Sequence, residues 1–303
     1  RTFEKIWQPL LRAKLGEAYT KTSAAFIWAT IQRMYAARRS GLKQELFGYL
    51  PGGYARILDA FRQRLEEAGV HLFLGMTVAA IRREQKSDVS VELASGTRIH
   101  FDRVVLTVPA PIAARLCPGI SDHEQTQLEQ VEYQGIVCAS LLLKKPLSGY
   151  YITNVTDPRF PFTAVIEMSA LVDREQFGGN ALVYLPRYLA SDDPGFAVPD
   201  HEWGERAVEA LSAMYPRFDP QDVVAFQVSR ERHVYALPTL GYSERVPPLR
   251  TSLPGIYVVN SAQIVNGTLN VNETVRLAEG SVDSLLSDTA DHGAGTGPWQ
   301  APQ

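Results

Sequence analysis

Between positions 54 and 68 the apolar residues recur at Tyr54, Ile57, Leu58, Phe61, Leu65 and Ala68, with Arg56, Asp59, Arg62, Arg64 and Glu66 between them. That is one stripe of a 3.6-residue period, and it predicts an amphipathic helix that buries this face, opened by Gly52-Gly53 and stopped by Gly69. After Gly69 the period becomes extended. His71 to Leu74, Val78 to Ile81 and the alternating Val89-Ser90-Val91-Glu92-Leu93 predict strands, and a Ser95-Gly96 turn leads into Arg98 to Phe101. Val104-Val105-Leu106 is an unbroken apolar run of the kind buried on both faces of a parallel sheet.

Upstream, Phe3, Ile6, Trp7, Leu10, Leu11 and Leu15 follow helical spacing, Gly16 interrupts, and Phe26, Ile27, Ile31, Met34 and Tyr35 give a second stripe. Arg33, Arg38, Arg39 and Lys43 surround that second helix, either as a solvated face or as a contact for an anionic cofactor or substrate. Downstream, 136–143, 163–168, 181–185 and 223–228 predict strands, and 203–215 predicts a helix with Ala207, Val208, Leu211 and Met214 on one side. Consecutive strands with few helices between them predict a largely antiparallel sheet. Leu253 to Asn260 reads as a loop entering a buried strand, and Asn272 starts a helix through Leu286, with Asn272 as its possible N-cap. The Gly-rich composition of 289–303 predicts a disordered tail.

The chain has 303 residues, of which 45% are hydrophobic and 21% charged, an ordinary globular composition with room for two cores. The net charge of -3 argues against a nucleic-acid surface. Two cysteines, Cys117 and Cys138, are too few for a disulfide framework or a metal cluster and point to a reducing compartment, read as the cytoplasm. The six histidines are scattered singly, with no metal-ligand spacing, and no run of about 18 apolar residues predicts a transmembrane helix. Peripheral membrane contact stays open.

Three stretches carry a family resemblance: Gly52-Gly53 before a helix, Thr77-Val78-Ala79-Ala80-Ile81, and Asp102-Arg103-Val104-Val105-Leu106-Thr107-Val108-Pro109. In this order and spacing the chain resembles the flavin-containing amine oxidases, the group that includes protoporphyrinogen oxidase and the carotenoid desaturases. The resemblance implies an α/β, FAD/NAD(P)-binding-type two-lobed fold with an α+β substrate lobe. It divides the chain into a helical part of the substrate lobe (1–45), a partial FAD-binding lobe (46–116), the substrate-binding lobe (117–250), a return to the FAD-binding lobe (251–288) and the tail (289–303). No Gly-x-Gly-x-x-Gly fingerprint occurs in the chain, and its first residues read as the middle of a domain. The expectation is a fragment whose nucleotide-binding unit lies upstream.

The resemblance implies FAD as cofactor and hydride abstraction from a C–N or C–C bond of a small molecule. It places Val78, Thr107 and Pro109 beside the cofactor, with Asn260-Ser261 where the family has Gly-Asp. Asn270, Val271 and Asn272 stand at a helix N-terminus aimed at the flavin, where unpaired N–H groups suit the negative charge of the reduced ring. No residue stands out as a nucleophile or general base. Some amine oxidases carry a lysine near the flavin on the first strand of the substrate lobe. None occurs around Gly135-Ile136-Val137, and Lys144 and Lys145 come too late. This leans the reading towards protoporphyrinogen oxidase and the desaturases. Tyr184, Arg187 and Tyr188, at the end of a predicted strand, are candidates to line a substrate pocket, with Arg187 pairing a carboxylate or phosphate; a surface turn is the competing reading. Arg232, Tyr235 and Pro238 resemble the crossover between lobes, with Tyr235 approaching the flavin. A flavin-dependent sugar-nucleotide mutase and a non-catalytic binding protein like the GDP dissociation inhibitors share the fold and remain alternatives.

Overall fold

The computed structural model describes residues 3–37, 48–84, 88–265 and 268–287. In chain order it begins with α1 (Gln8–Leu15), α2 (Ala24–Ala37), α3 (Gly53–Glu67), β1 (Val78–Arg83), β2 (Val89–Leu93), β3 (Arg98–Phe101) and β4 (Val104–Leu106). There follow α4 (Ala110–Leu116), α5 (Asp122–Glu129), β5 (Tyr133–Leu143), β6 (Ile152–Asn154), β7 (Ala164–Glu167) and β8 (Ala181–Ala190). The last elements are α6 (Asp200–Met214), β9 (Val223–Ala236), β10 (Ile256–Val258) and α7 (Val271–Ser287). The chain divides into two compact units, one from residues 1–76 and 131–242 and one from 77–130 and 243–303. Residues 53–76 thus group with the predicted substrate lobe, whereas the sequence reading had placed 46–116 with the cofactor lobe.

The first unit is built on a five-stranded antiparallel sheet in the order β6-β7-β8-β5-β9. Along β5 the period of two is complete from Ile136 onward: Val137, Ala139, Leu141 and Leu143 are buried, while Ile136, Cys138, Ser140 and Leu142 are half-buried. The buried set packs with Val183 and Leu185 of β8 and with Trp203, Ala207 and Leu211 of α6. Each fully buried Val or Leu contributes about 1.5–3 kcal/mol. Gly135 is required where β5 slips register against β9: a Cβ there would lie 2.5 Å from Phe196 Cζ and 2.8 Å from the Glu231 carbonyl oxygen. On a smaller cluster, Leu15 of α1 and Phe26 of α2 pack with Tyr235 and Leu237. Glu167, 1% exposed at the end of β7, accepts hydrogen bonds from the backbone N–H groups of Leu147 (3.1 Å), Ser148 (3.0 Å) and Gly149 (3.2 Å).

Two expectations fail in this unit. α3 forms where the period predicts it, yet its apolar face is uncovered: Tyr54 is 69% exposed and Phe61 60%. Periodicity locates an apolar face but does not supply the element that covers it. Residues 71–74 form no strand, and Leu74 is 83% exposed, because no described strand pairs with them.

In the second unit β1, β2 and β3 form an antiparallel ribbon that buries Ile81, Val89, Val91 and Leu93. β4 and β10 pair in parallel with Val104 opposite Ile256 and Leu106 opposite Val258, as the apolar run at 104–106 predicts. Burial on both faces is not seen, since Val105 is 42% exposed. α7 buries only Ser281 and is held at its last turn, where Arg103 donates to the Leu285 carbonyl and Arg250 to that of Ser284 (3.2 Å). Two guanidinium groups there satisfy end-of-helix carbonyls and meet the negative end of the helix dipole. The tail at 289–303 lies outside the described residues.

Replacing Glu167 by Ala removes the buried carboxylate that accepts from three backbone N–H groups, those of half-buried Leu147 and of exposed Ser148 and Gly149. The expected outcome in a urea titration of the full-length protein is a loss of about 3 kcal/mol, with Glu167→Gln losing roughly half as much because its carbonyl still accepts.

Candidate functional site

The cross-strand register sorts the candidate substrate residues. Tyr184 stands opposite Ser140, Pro186 opposite Cys138 and Tyr188 opposite Ile136, so the two tyrosines share one half-buried face of the sheet with Cys138 and Ser140. Arg187 stands opposite Val137 and belongs to the other face, beside Leu185 and Leu189. The structure therefore brings Tyr184 and Tyr188 together and separates Arg187 from them. None of the three is in a surface turn, because the strand continues through Pro186 to Ala190.

Tyr235 lies on the tyrosine face, opposite Gln134. Its ring stacks on Phe26 (6.4 Å between centroids) and meets Tyr188 edge-on (6.5 Å). It is 8% exposed and its hydroxyl has no hydrogen-bond partner. Burial and the neighbouring Tyr188 push its pKa up, and burial followed by Cys138 pushes up those of Tyr184 and Tyr188. All three are neutral phenols at physiological pH, suited to donating and accepting hydrogen bonds. Arg232 packs its guanidinium over the Phe196 ring at 4.6 Å and donates to the Ser191 carbonyl (2.6 Å), a structural position.

A half-open cavity of about 1140 Å³ runs beside the last residues of β8, where β7 no longer pairs with it. α1 lies on one side and the 155–163 loop on the other; Gln134, Arg187 and Tyr188 are in its wall. Arg33 on α2 is exposed, and its charge lowers the Lys14 pKa, after burial. Arg38, Arg39 and Lys43 lie outside the described residues.

The cofactor candidates all fall in the second unit. Thr107, Val108 and Pro109 follow β4, and Val259, Asn260 and Ser261 follow β10, so both sets stand at carboxyl ends of parallel strands, where open α/β sheets bind ligands. Asn260 is 7% exposed and fully engaged: its Nδ2 donates to the Val108 carbonyl (2.8 Å), its Oδ1 accepts from Ala262 N–H (2.9 Å), and its own N–H donates to Gln263 Oε1 (3.0 Å). It ties the two strand ends together rather than presenting a free amide. Among the described residues the Ser261 and Thr107 hydroxyls have no partner. The cap of α7 is Asn270, whose Oδ1 accepts from Glu273 N–H (3.2 Å), and not Asn272. Val271 and Asn272 are exposed in the first turn of this 17-residue helix. Val78 is half-buried at the start of β1, beside a bulge. Two free hydroxyls and an open helix N-terminus fit an anionic, oxygen-rich group such as part of FAD.

Sequence reasoning missed Gln134, Cys138 and Ser140. The signal for the last two was strand parity, since they alternate with the buried Val137 and Ala139.

Among the described residues no group of acidic, histidine or cysteine side chains is placed to hold a metal, and no helix is long and apolar enough to cross a membrane. A family model for flavin containing amine oxidoreductase matches residues 3–271. Coproporphyrinogen III oxidase of Mycobacterium tuberculosis (strain ATCC 25618 / H37Rv) is 27% identical over 214 residues, which is 69% of this chain and 44% of that protein. The chain thus spans less than half the length of this curated relative. Reduced UDP-galactopyranose mutase superposes with a TM-score of 0.69 at 15% identity, covering 96% of this chain and 66% of that one. An oxidoreductase from Methanosarcina mazei gives 0.65 at 18% identity, covering 93% and 65%. These likenesses show the fold, the α/β FAD/NAD(P)-binding type that the resemblance implied.

Burial pushes the Cys117 thiol up to about 11, and Cys138 is raised by burial too. Cys117 is also the more enclosed, at 1% exposed. Alkylation with iodoacetamide at pH 8, followed by mass spectrometry, is expected to modify Cys138 at least about tenfold faster than Cys117. Because the folded Cys117 holds its proton above the unfolded value, stability is full below about pH 8.5 and falls as pH rises towards the folded pKa, by up to about 1.4 kcal/mol per pH unit. Melts between pH 8 and 11 with and without Cys117→Ser read that slope.

Proposed function

The chain belongs to the flavin-containing amine oxidoreductase family, and on that premise we propose that it is part of an FAD-dependent enzyme that takes a hydride from a C–C or C–N bond of a small organic substrate. The observation that carries the reading is the half-buried sheet face of the first unit. Its strands present neutral tyrosines, a thiol and a hydroxyl and, among the described residues, no lysine: Lys144, past the far end of β5, donates to the Gln221 carbonyl (2.8 Å), Lys145 pairs with Asp222 (3.0 Å), and Lys14 of α1 lies over the Phe26 ring (5.8 Å) that stacks on Tyr235. A surface of this kind orients a substrate by hydrogen bonds, and burial keeps its one thiol protonated. It supports the protoporphyrinogen-oxidase and desaturase side of the family over the lysine-bearing amine oxidases.

FAD, when bound, supplies the hydride acceptor. Ser261, Thr107 and the first N–H groups of α7 at Val271 and Asn272 would hold it, with Val78 and Pro109 beside it, and Asn260 and Asn270 would shape that cradle through their hydrogen bonds. Tyr184 and Tyr188 would orient the substrate by hydrogen bonding, with Tyr235 fixing the Tyr188 ring. The relative from Mycobacterium tuberculosis acts, by its name, on coproporphyrinogen III, and a porphyrinogen-like substrate is the most specific form of the proposal. The mutase and GDP dissociation inhibitor alternatives gain no support at the level of residues. Two free thiols are in keeping with a cytoplasmic location.

The test is made on the full-length protein. The expected result is co-purified or tightly reconstituted FAD whose visible absorption is bleached by coproporphyrinogen III without oxygen. A full-length protein that takes up no flavin would sink the reading. Tyr188→Phe is expected to lower kcat/KM by roughly fivefold, the worth of one hydrogen bond of about 1 kcal/mol, while the flavin content stays unchanged.

A further inference from the structure

The cavity beside β8 holds polar groups that the fold does not use. Gln134 is 2% exposed, lies in the cavity wall, and makes no side-chain hydrogen bond with any described residue. The Gln134 amide is not among the fully buried atoms left without a partner, so it meets the cavity space, where water or a ligand can bond it. Arg187 is half-buried in the same wall and, among the described residues, has neither an ion-pair nor a hydrogen-bond partner.

Most other charges around the cavity are accounted for locally, Asp192 excepted. Arg12 pairs with Glu17, Lys21 with Glu132, and Asp157 with Arg159 (2.6 Å); Asp193 accepts from Gly195 N–H (2.7 Å). The guanidinium of Arg187 is therefore the unanswered positive charge of the wall. An arginine fork matches a carboxylate or a phosphate. Asp192 and Asp193 in the same wall have no counter-cation among the described residues, and this uncompensated negative charge disfavours a dianion more than a single carboxylate. Phe160, Phe162, Leu15, Leu189 and Leu237 supply the apolar remainder of the wall. Arg187 and Gln134 sit on opposite faces of the sheet, so one small ion does not reach both, whereas a cavity of about 1140 Å³ accommodates a body that does.

We infer that this cavity is a binding site for a bulky organic monocarboxylate, its carboxylate held by Arg187 and a second polar group of the ligand held by the Gln134 amide. The site is defined within the first unit alone, and the inference stands whether or not the chain binds flavin.

The probes are 1-pyrenebutyrate and its uncharged analogue 1-pyrenebutanol, titrated against the full-length protein by fluorescence, with flavin content read from the same samples. The acid is expected to bind at least about tenfold more tightly than the alcohol, a preference that shrinks as salt is raised. Arg187→Met is expected to abolish the preference and Arg187→Lys to keep part of it. Gln134→Leu is expected to leave the preference between these two probes intact, since neither carries a second polar group, and to weaken by about threefold a pyrenebutyrate that bears a ring hydroxyl. Equal binding of acid and alcohol to the wild-type protein would overturn the inference, and so would an acid preference that survives in Arg187→Met. If Arg187→Met does not fold, the wild-type ratio with its salt dependence and the Lys variant decide the matter. Loss of the acid preference with flavin retained counts against this site only, and loss of flavin with the preference retained counts against the enzymatic reading only.

Discussion

Strand β5 is hydrogen-bonded along both edges, to β8 from Gln134 to Leu143 and to β9 from Tyr133 to Leu143. With both edges occupied, its side chains have only two directions left, and the burial of Val137, Ala139, Leu141 and Leu143 against α6 commits the alternate set to the opposite face. A one-residue slip would put Cys138 and Ser140 into the core and carry four apolar side chains out of it. The register is therefore fixed by the same energy that builds the core, and the placement of Tyr184 and Tyr188 beside Cys138 and Ser140 follows from it. Gly135 relieves the one point at which the two edges make incompatible demands.

Much of this was legible in the sequence. The strand-like run at 136–143 and the apolar run at 104–106 gave strands in the right places, the first in an antiparallel sheet, as the succession of strands predicts, and the second in a parallel pair. Pro186 concealed the rest of the site. A proline lacks the N–H that a ladder needs, so 181–185 was read as a complete strand and 186–188 as its end or a turn. Extending the strand through Pro186 would have let parity alone place Arg187 opposite Val137 and away from the tyrosines. Gln134 was invisible for another reason: nothing in a lone polar residue ahead of an apolar run tells that it is 2% exposed. The helix at 54–68 shows the converse, a clear pattern whose apolar face the described residues leave open.

The second unit is held together differently. α7 has hardly any buried surface, and what positions it are hydrogen bonds at its ends: Asn270 at the first turn, Arg103 and Arg250 at the last. Asn260 does the same for the loops that follow β4 and β10. Directional bonds of this kind hold backbone N–H groups and hydroxyls at fixed angles without filling the space in front of them. Such a surface leaves room for a polar ligand, and the residues proposed for the cofactor divide into those with open polar groups, Thr107 and Ser261, and those whose bonds fix the neighbouring backbone, Asn260 and Asn270.

The parallel pairing of β4 with β10 joins segments 152 residues apart, as does the bond from Asn260 to Val108. Everything from 131 to 242, which belongs to the first unit, is threaded between the two halves of that contact. On the ribosome, at about 5–20 residues per second, β4 waits roughly 8–30 s for its partner to emerge. Residues 131–242, by contrast, carry β5, β8 and β9 within one continuous stretch and pair as soon as they are made. The order of assembly is written into the topology: the first unit's sheet comes first, and its prior folding shortens the loop that the second unit must close.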